Sequence, residues 1–197
     1  MAASAGAPLE GTRSKLVRTT SRLMQRQGYQ ATGVKQITRE AGVSHGSMYH
    51  FFPGGKDELA VAAVRHAEAE FAEMLETALA ALPDPADAIE LVTARLGEYL
   101  QRSEWTDGCP ITATALETAG RVPEIEKAVS AAFSTWRELV AVKLIGAGFA
   151  EGSAVDLAWT VINTLEGAEL AAQVERSIEP LRLAGRHLRL LVDACRP

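Results

Sequence analysis

The chain has 197 residues, 47% hydrophobic and 23% charged, with a net charge of −5; this is an ordinary composition for a soluble globular protein, with room for one small unit beside one larger core. No apolar run approaches the roughly 20 residues needed to span a bilayer, which excludes a membrane-spanning helix. Cys109 and Cys195 lie too far apart for a disulfide framework and fit a reducing cytoplasm, and His45, His50, His66 and His187 do not fall at ligand spacing with them, so neither a metal centre nor a cofactor is expected.

Alternating β-branched runs are few and alanine-rich helical runs many, so the expected class is all-α. The opening MAASAGAPLEGTRS is small, aperiodic and without the basic start and apolar run of a signal peptide; residues 1–11 read as a disordered arm. A first helix is predicted from about Thr12 to Gln27. Leu16, Thr20, Leu23 and Met24 form its inward stripe, its arginines lie mostly opposite, and Gly28 stops it.

The stretch Thr32–Leu59, TGVKQITREAGVSHGSMYHFFPGGKDEL, carries the most information. Thr32 is expected to cap a helix, along which Val34, Ile37 and Ala41 recur at helical spacing. Gly42 is a stop that tolerates a left-handed backbone, and Ser44 is a second N-cap two residues later. Helix, short glycine-containing turn and helix make a helix-turn-helix. The second helix, His45 to Phe52, is poor on propensity alone. Its small residues, however, allow close approach to a surface, and its polar and aromatic ones can reach phosphates and base edges. Pro53 ends it. Lys56 falls in the first turn of the next helix, where free N–H groups and the dipole favour an anion such as a phosphate. Arg13 and Lys15 either extend an arm along the DNA backbone or fray without a role.

Charge points the same way. Residues 1–60 hold eight basic residues (Arg13, Lys15, Arg18, Arg22, Arg26, Lys35, Arg39, Lys56) and four acids (Glu10, Glu40, Asp57, Glu58), within a chain of net charge −5. The basic excess is thus confined to one end, where its attraction acts within a Debye length of about 8 Å.

Six further helices are predicted: about Lys56–Leu82, Ala86–Arg102, Cys109-Pro110 to Gly120, Pro123–Ala147, Ser153–Ser177 and Glu179–Ala194. Pro83-Asp84-Pro85 breaks the first, and prolines at first-turn positions start others. Trp105, Phe133, Trp136, Phe149 and Trp159 hold most of the large aromatic surface beyond the basic end, either as core or as a cavity lining. Trp159, Asn163 and Glu166 follow at helical spacing; Glu117 and Asn163 can bond a ligand or serve an internal network. Cys109 reads as a small buried hydrophobe with no basic cluster to make it a thiolate. The last helix carries two apolar stripes, Leu181, Ala184, Leu188, Leu191 and the offset Leu183, Leu190, Ala194, and must bury both.

The run ITREAGVSHGSMYHFFPGGKDEL resembles the DNA-binding domain of the TetR family of one-component transcriptional repressors. DGCPITATALE at Asp107–Glu117, LEGAELAAQVERSIEPL at Leu165–Leu181 and the Pro-Gly-Gly-Lys break resemble its LmrA/YxaF-like branch. The resemblance implies nine helices, a DNA-binding domain over 1–55 and a ligand-binding and dimerisation domain over 56–197. It places Thr32, Lys35, Ser44, Tyr49, His50 and Lys56 at positions that commonly touch DNA, the tyrosine and the lysine at phosphates. His45, Gly46 and Ser47 then face the groove floor, His45 as base reader. Trp105, Cys109, Glu117, Phe133, Trp136, Trp159, Asn163 and Glu166 become candidate ligand residues for a small, flat or lipophilic effector. Leu181, Ala184, Leu188 and Leu191 become the candidate homodimer interface, and a two-fold dimer calls for a palindromic operator. Two rival readings are a regulator of the same fold that is ligand-independent or activating, and an enzyme using Glu117, Asp156, Glu166 and Glu169; no nucleophile triad, phosphate loop or metal site accompanies those carboxylates.

Overall fold

The structure, a computed structural model, describes residues 11–197. Among them are nine α-helices and no strand: α1 (Thr12–Ala31), α2 (Val34–Ala41), α3 (His45–Phe51), α4 (Gly55–Ala81), α5 (Pro85–Arg102), α6 (Pro110–Thr118), α7 (Pro123–Gly146), α8 (Glu151–Glu175) and α9 (Glu179–Ala194). No helix among the described residues is long and apolar enough to cross a membrane. The expected arm over 1–11 lies, but for Gly11, outside the described residues. Arg13 and Lys15 are not part of an arm: both sit in the first turn of α1, and the Arg13 guanidinium lies 5.2 Å from the centre of the Phe52 ring.

Local chemistry fixes most boundaries. Ser44 caps α3 by accepting from the Ser47 N–H at 3.1 Å, and Asp84 caps α5 by accepting from Ala86 N–H at 2.8 Å. Gly42 closes α2 in the left-handed conformation, φ 64°. Two boundaries differ from expectation. Gly28 does not stop α1; the helix kinks there, at φ 77°, and resumes to Ala31. Thr32 does not cap α2, which has Gly33 at that position. Its hydroxyl instead donates back to the Gly28 carbonyl at 2.7 Å, and the residue is fully buried.

Two apolar clusters divide the molecule. Leu16, Val17, Leu23, Ile37, Met48, Phe52 and Leu59 make the smaller one, joining α1, α2, α3 and the start of α4. The larger runs through α4 to α9 and also takes Met24 of α1. The two ends of α1 therefore belong to different cores. At 27 residues, α4 is about 40 Å long and feeds both clusters.

Helix α9 lies close against α5, because Gly185 faces Thr93 with no room for a side chain: a Cβ there would meet Thr93 Oγ1 at 2.3 Å. This corrects the expected dimer stripe. Leu181, Ala184 and Leu188 are buried within the chain, while Leu191 is partly exposed. The apolar surface left open includes Val155, Trp159, Leu170 and Val174 along one face of α8, and Leu190 with Leu191 on α9.

Candidate nucleic-acid interface and ligand cavity

Met48 anchors α3 in the smaller core, fully buried, and this fixes which face of so short a helix turns outward. Ser44, His45, Gly46, Tyr49 and His50 are exposed, Ser47 is half-buried, and Tyr49 presents 51% of its surface. Thr38 Oγ1 lies 3.1 Å from His45 Nδ1, which steadies the imidazole from α2. Lys35 is exposed on α2, and Lys15, Arg18 and Arg22 on α1 add to the basic surface of this unit. The face is thus small at Gly46, polar at its ends and flanked by cations, the properties a helix needs to enter a major groove.

Two of the expected DNA residues stand differently. Thr32 is enclosed and cannot reach a ligand in this conformation. Lys56 is half-buried, its ammonium 4.1 Å from the centre of the Tyr29 ring and donating to the Gln30 carbonyl at 3.3 Å. Burial lowers its pKa despite the neighbouring Asp57 and Glu117. Lys56 thereby ties the start of α4 to the end of α1.

A cavity of about 310 Å³ lies in the larger bundle, walled by α1, α4, α5, α7 and α8 and by the Gly108–Ile111 turn into α6. Phe71, Met74, Leu96, Tyr99, Ile111 and Trp136 supply its apolar surface. Trp136 is fully buried; its ring lies 4.3 Å from Phe71 and 5.4 Å from Phe133 between centroids, and its indole N–H donates to the Glu68 carbonyl at 3.3 Å. At one end Cys109, Glu166 and Glu169 converge, with one ligating atom of each within 4.8 Å of the others. Burial raises all three pKa values, Glu169 from the ordinary 4.5 to about 8 with help from the Glu166 charge.

Of the eight expected ligand residues, Cys109 and Trp136 line this cavity; Glu166 joins its acidic end, and Phe133 supports the Trp136 ring. Trp105 is half-buried against the larger core, in a turn where it and Glu104 both take positive φ, 65° and 53°. Three expectations are corrected. Trp159 stands 49% exposed, with the Arg137 guanidinium 3.6 Å from its ring centre. Asn163 is exposed on the same face of α8. Glu117 points away from the cavity and accepts from the Gln30 N–H at 2.7 Å. Phe71, Met74, Tyr99 and Ile111 are not distinguished by sequence, since the first three sit mid-helix and the proline before Ile111 marks a helix start but not a cavity wall.

The cavity touches the DNA-facing unit directly, because Ser21 and Gln25 of α1 form part of its wall. Gln25 donates to both the Gly108 carbonyl and the Tyr99 hydroxyl at 2.9 Å. Arg26 pairs with Asp107 at 2.7 Å, and this bond holds the Asp107 pKa below the usual range.

A fold of helices alone, with a capped, exposed second helix behind a left-handed glycine turn, defines a class: helix-turn-helix transcriptional regulators. Residues 16–63 match the family model for bacterial regulatory proteins of the tetR family, and residues 85–187 match that for the C-terminal domain of LmrA/YxaF-like transcriptional regulators. The chain belongs to the TetR family, in its LmrA/YxaF-like branch. It is similar to YxaF of Bacillus subtilis, described as an uncharacterized HTH-type transcriptional regulator, at 34% identity over 92% of this chain and 95% of that one. With the HTH-type transcriptional regulator LmrA of the same organism it shares 31% identity over 86% and 90% of the two chains. Among solved structures, a TetR transcriptional regulator from Chloroflexus aurantiacus superimposes with a TM-score of 0.79 at 29% identity, covering 92% of this chain and 94% of that one. The protein is accordingly a DNA-binding transcriptional regulator and not an enzyme.

Proposed function

We propose that the protein is a repressor that binds a palindromic operator as a homodimer and is released by a small lipophilic or aromatic effector held in the cavity of the larger bundle. The observation that carries this reading is the shared wall: the cavity is bounded on one side by α1 of the DNA-facing unit. A ligand placed there meets residues whose partners change if α1 moves.

In this reading residues up to 55 serve DNA binding and 56–197 serve ligand binding and dimerisation, with the second half of α1 shared. Lys35, Ser44, Tyr49 and His50 contact phosphates, and His45, Gly46 and Ser47 face the bases. Thr32 leaves the contact set because it is buried, and Lys56 reaches DNA only by leaving Tyr29. The open apolar faces of α8 and α9 meet their two-fold copies, which sets two α3 helices on successive major grooves.

Effector binding releases DNA only by favouring the conformation that does not fit the operator. A coupling of about 3 kcal/mol would weaken operator binding roughly 150-fold. Helix α4 carries the change through its length, and the contacts of α1 with α6 and the turn before it, at Gln30, Gln25 and Arg26, offer a second, shorter route. The cavity itself favours this reading over a ligand-independent regulator of the same fold.

Selection of genomic DNA fragments by the purified protein, followed by sequencing, tests the first half. A single palindrome is expected. Binding without sequence preference and with steep salt dependence would overturn the operator reading.

A further inference from the structure

Glu169 presents an unresolved problem of charge. It is 4% exposed and lines the cavity, and no hydrogen bond to its carboxyl occurs among the described residues. Its neighbour Glu166 is different, since the Thr112 hydroxyl and the Cys109 thiol both donate to it. The Glu169 oxygens open only onto the cavity, and a carboxylate so enclosed with no cation beside it is disfavoured, so Glu169 keeps its proton at neutral pH, in line with a pKa of about 8. The groups around it do not relieve this. Glu166, Cys109 and Tyr99 are acids, and Glu70, Arg95, Glu98 and Arg102 stand exposed on the α4 and α5 side of the lining, with Arg95 already paired to Glu98.

Resting on the reading of this cavity as the effector site, we propose that its ligand is a lipophilic organic cation, with the ammonium group seated on Glu169 and the ring system among Phe71, Tyr99 and Trp136. An ammonium within about 6 Å of such rings gains cation–π attraction, strongest where water is excluded. On binding, the Glu169 proton passes to solvent and the carboxylate gains its missing partner; no other bond need break. A divalent metal at the same cluster fits less well. It would need the Cys109 thiol ionised, which burial opposes, and it would displace both hydrogen bonds to Glu166 while leaving the apolar end of the cavity unused.

Calorimetric titration of the full chain with 2-naphthylmethylamine and with 2-naphthylmethanol tests this, because the two probes share a ring and differ in charge. The wild type should prefer the amine at least tenfold. Glu169→Gln, which keeps the shape and removes the charge, should abolish the preference and leave the alcohol unchanged. Cys109→Ala should keep the preference, which a metal cage would not. Equal affinity for the two probes in the wild type, or a preference that survives Glu169→Gln, would overturn the inference. Binding of neither probe at millimolar concentration would overturn it together with the reading of the cavity. Amine preference without release of a selected DNA fragment would support the inference and sink the effector reading alone.

Discussion

Lys35 and His45 differ in what they offer DNA, and substitution should separate them. Lys35→Ala is expected to weaken binding to all sequences alike and to lower the salt dependence by about one counterion per protomer. His45→Ala should instead relax discrimination at one base position by about 1–3 kcal/mol. Binding isotherms at several salt concentrations, on the selected operator and on scrambled DNA, distinguish the two. Glu169 makes a different prediction, about stability. Between its ordinary 4.5 and its folded value of about 8, the folded chain holds a proton that the unfolded chain has released. Stability therefore falls as pH rises through that window. Burial and the charge of the facing Glu166 carboxylate oppose its ionisation. Thermal denaturation should show Glu169→Gln gaining on the wild type at pH 8 and matching it near pH 4.5, by about 2–4 °C for each kcal/mol recovered. At this scale, residues whose role follows from local chemistry were legible in sequence: Ser44 as a cap, Gly42 as a left-handed stop, Tyr49 on an open face. Glu117 was not, because it bonds the Gln30 N–H, which only the folded chain brings near, and Thr32 was not, because a threonine that donates four residues back to Gly28 looks the same in sequence as one that caps the next helix.

The α1–α6 junction concentrates several unlike contacts in one place. Gly28 takes φ 77°, and a Cβ there would also meet Glu117 Oε1 at 2.1 Å. At ψ 173° this is a backbone region essentially reserved for glycine, so Gly28→Ala should destabilise by about 1–3 kcal/mol through backbone strain alone and dislodge Glu117 from Gln30. Glu117→Gln and Asp107→Asn test the junction more gently. Both should leave operator affinity without effector within a few-fold and reduce the loss of affinity that effector causes, as read by DNA-binding titrations with and without ligand. An unchanged effector response in the double variant would leave α4 as the route. The helices themselves were legible, since proline, glycine and Asp or Ser caps mark their ends within a few residues of sequence. The kink in α1 was misread as a stop, because glycine at a left-handed position looks the same whether a helix ends there or bends. The cavity was half legible. Trp136 was found by its size, but Trp159, equally large, faces outward, and nothing in the 3.6-residue period says which side of α8 a neighbour will cover.

For the whole molecule, the close seat of α9 on α5 determines what remains for a partner. Gly185 lets the two helices approach, which buries Leu181, Ala184 and Leu188 and leaves Val155, Trp159, Leu170, Val174 and Leu190 open. The sequence pattern revealed that α9 has two apolar sides; it did not reveal which of them α5 would take. Trp159→Glu combined with Leu190→Glu should yield a folded monomer of unchanged helix content that no longer binds the palindrome at nanomolar concentration. Sedimentation equilibrium and circular dichroism check the two halves of that statement. The same arrangement sets the three indoles in unlike surroundings: Trp136 is sealed in the cavity wall, Trp105 is half-buried in a strained turn, and Trp159 is half-open beneath Arg137. Each therefore emits in its own polarity. Trp136 is placed to be quenched by an occupant of the cavity and Trp159 to shift blue when a second copy excludes water from it, so variants keeping one tryptophan at a time would turn intrinsic emission into separate optical records of ligand entry and assembly.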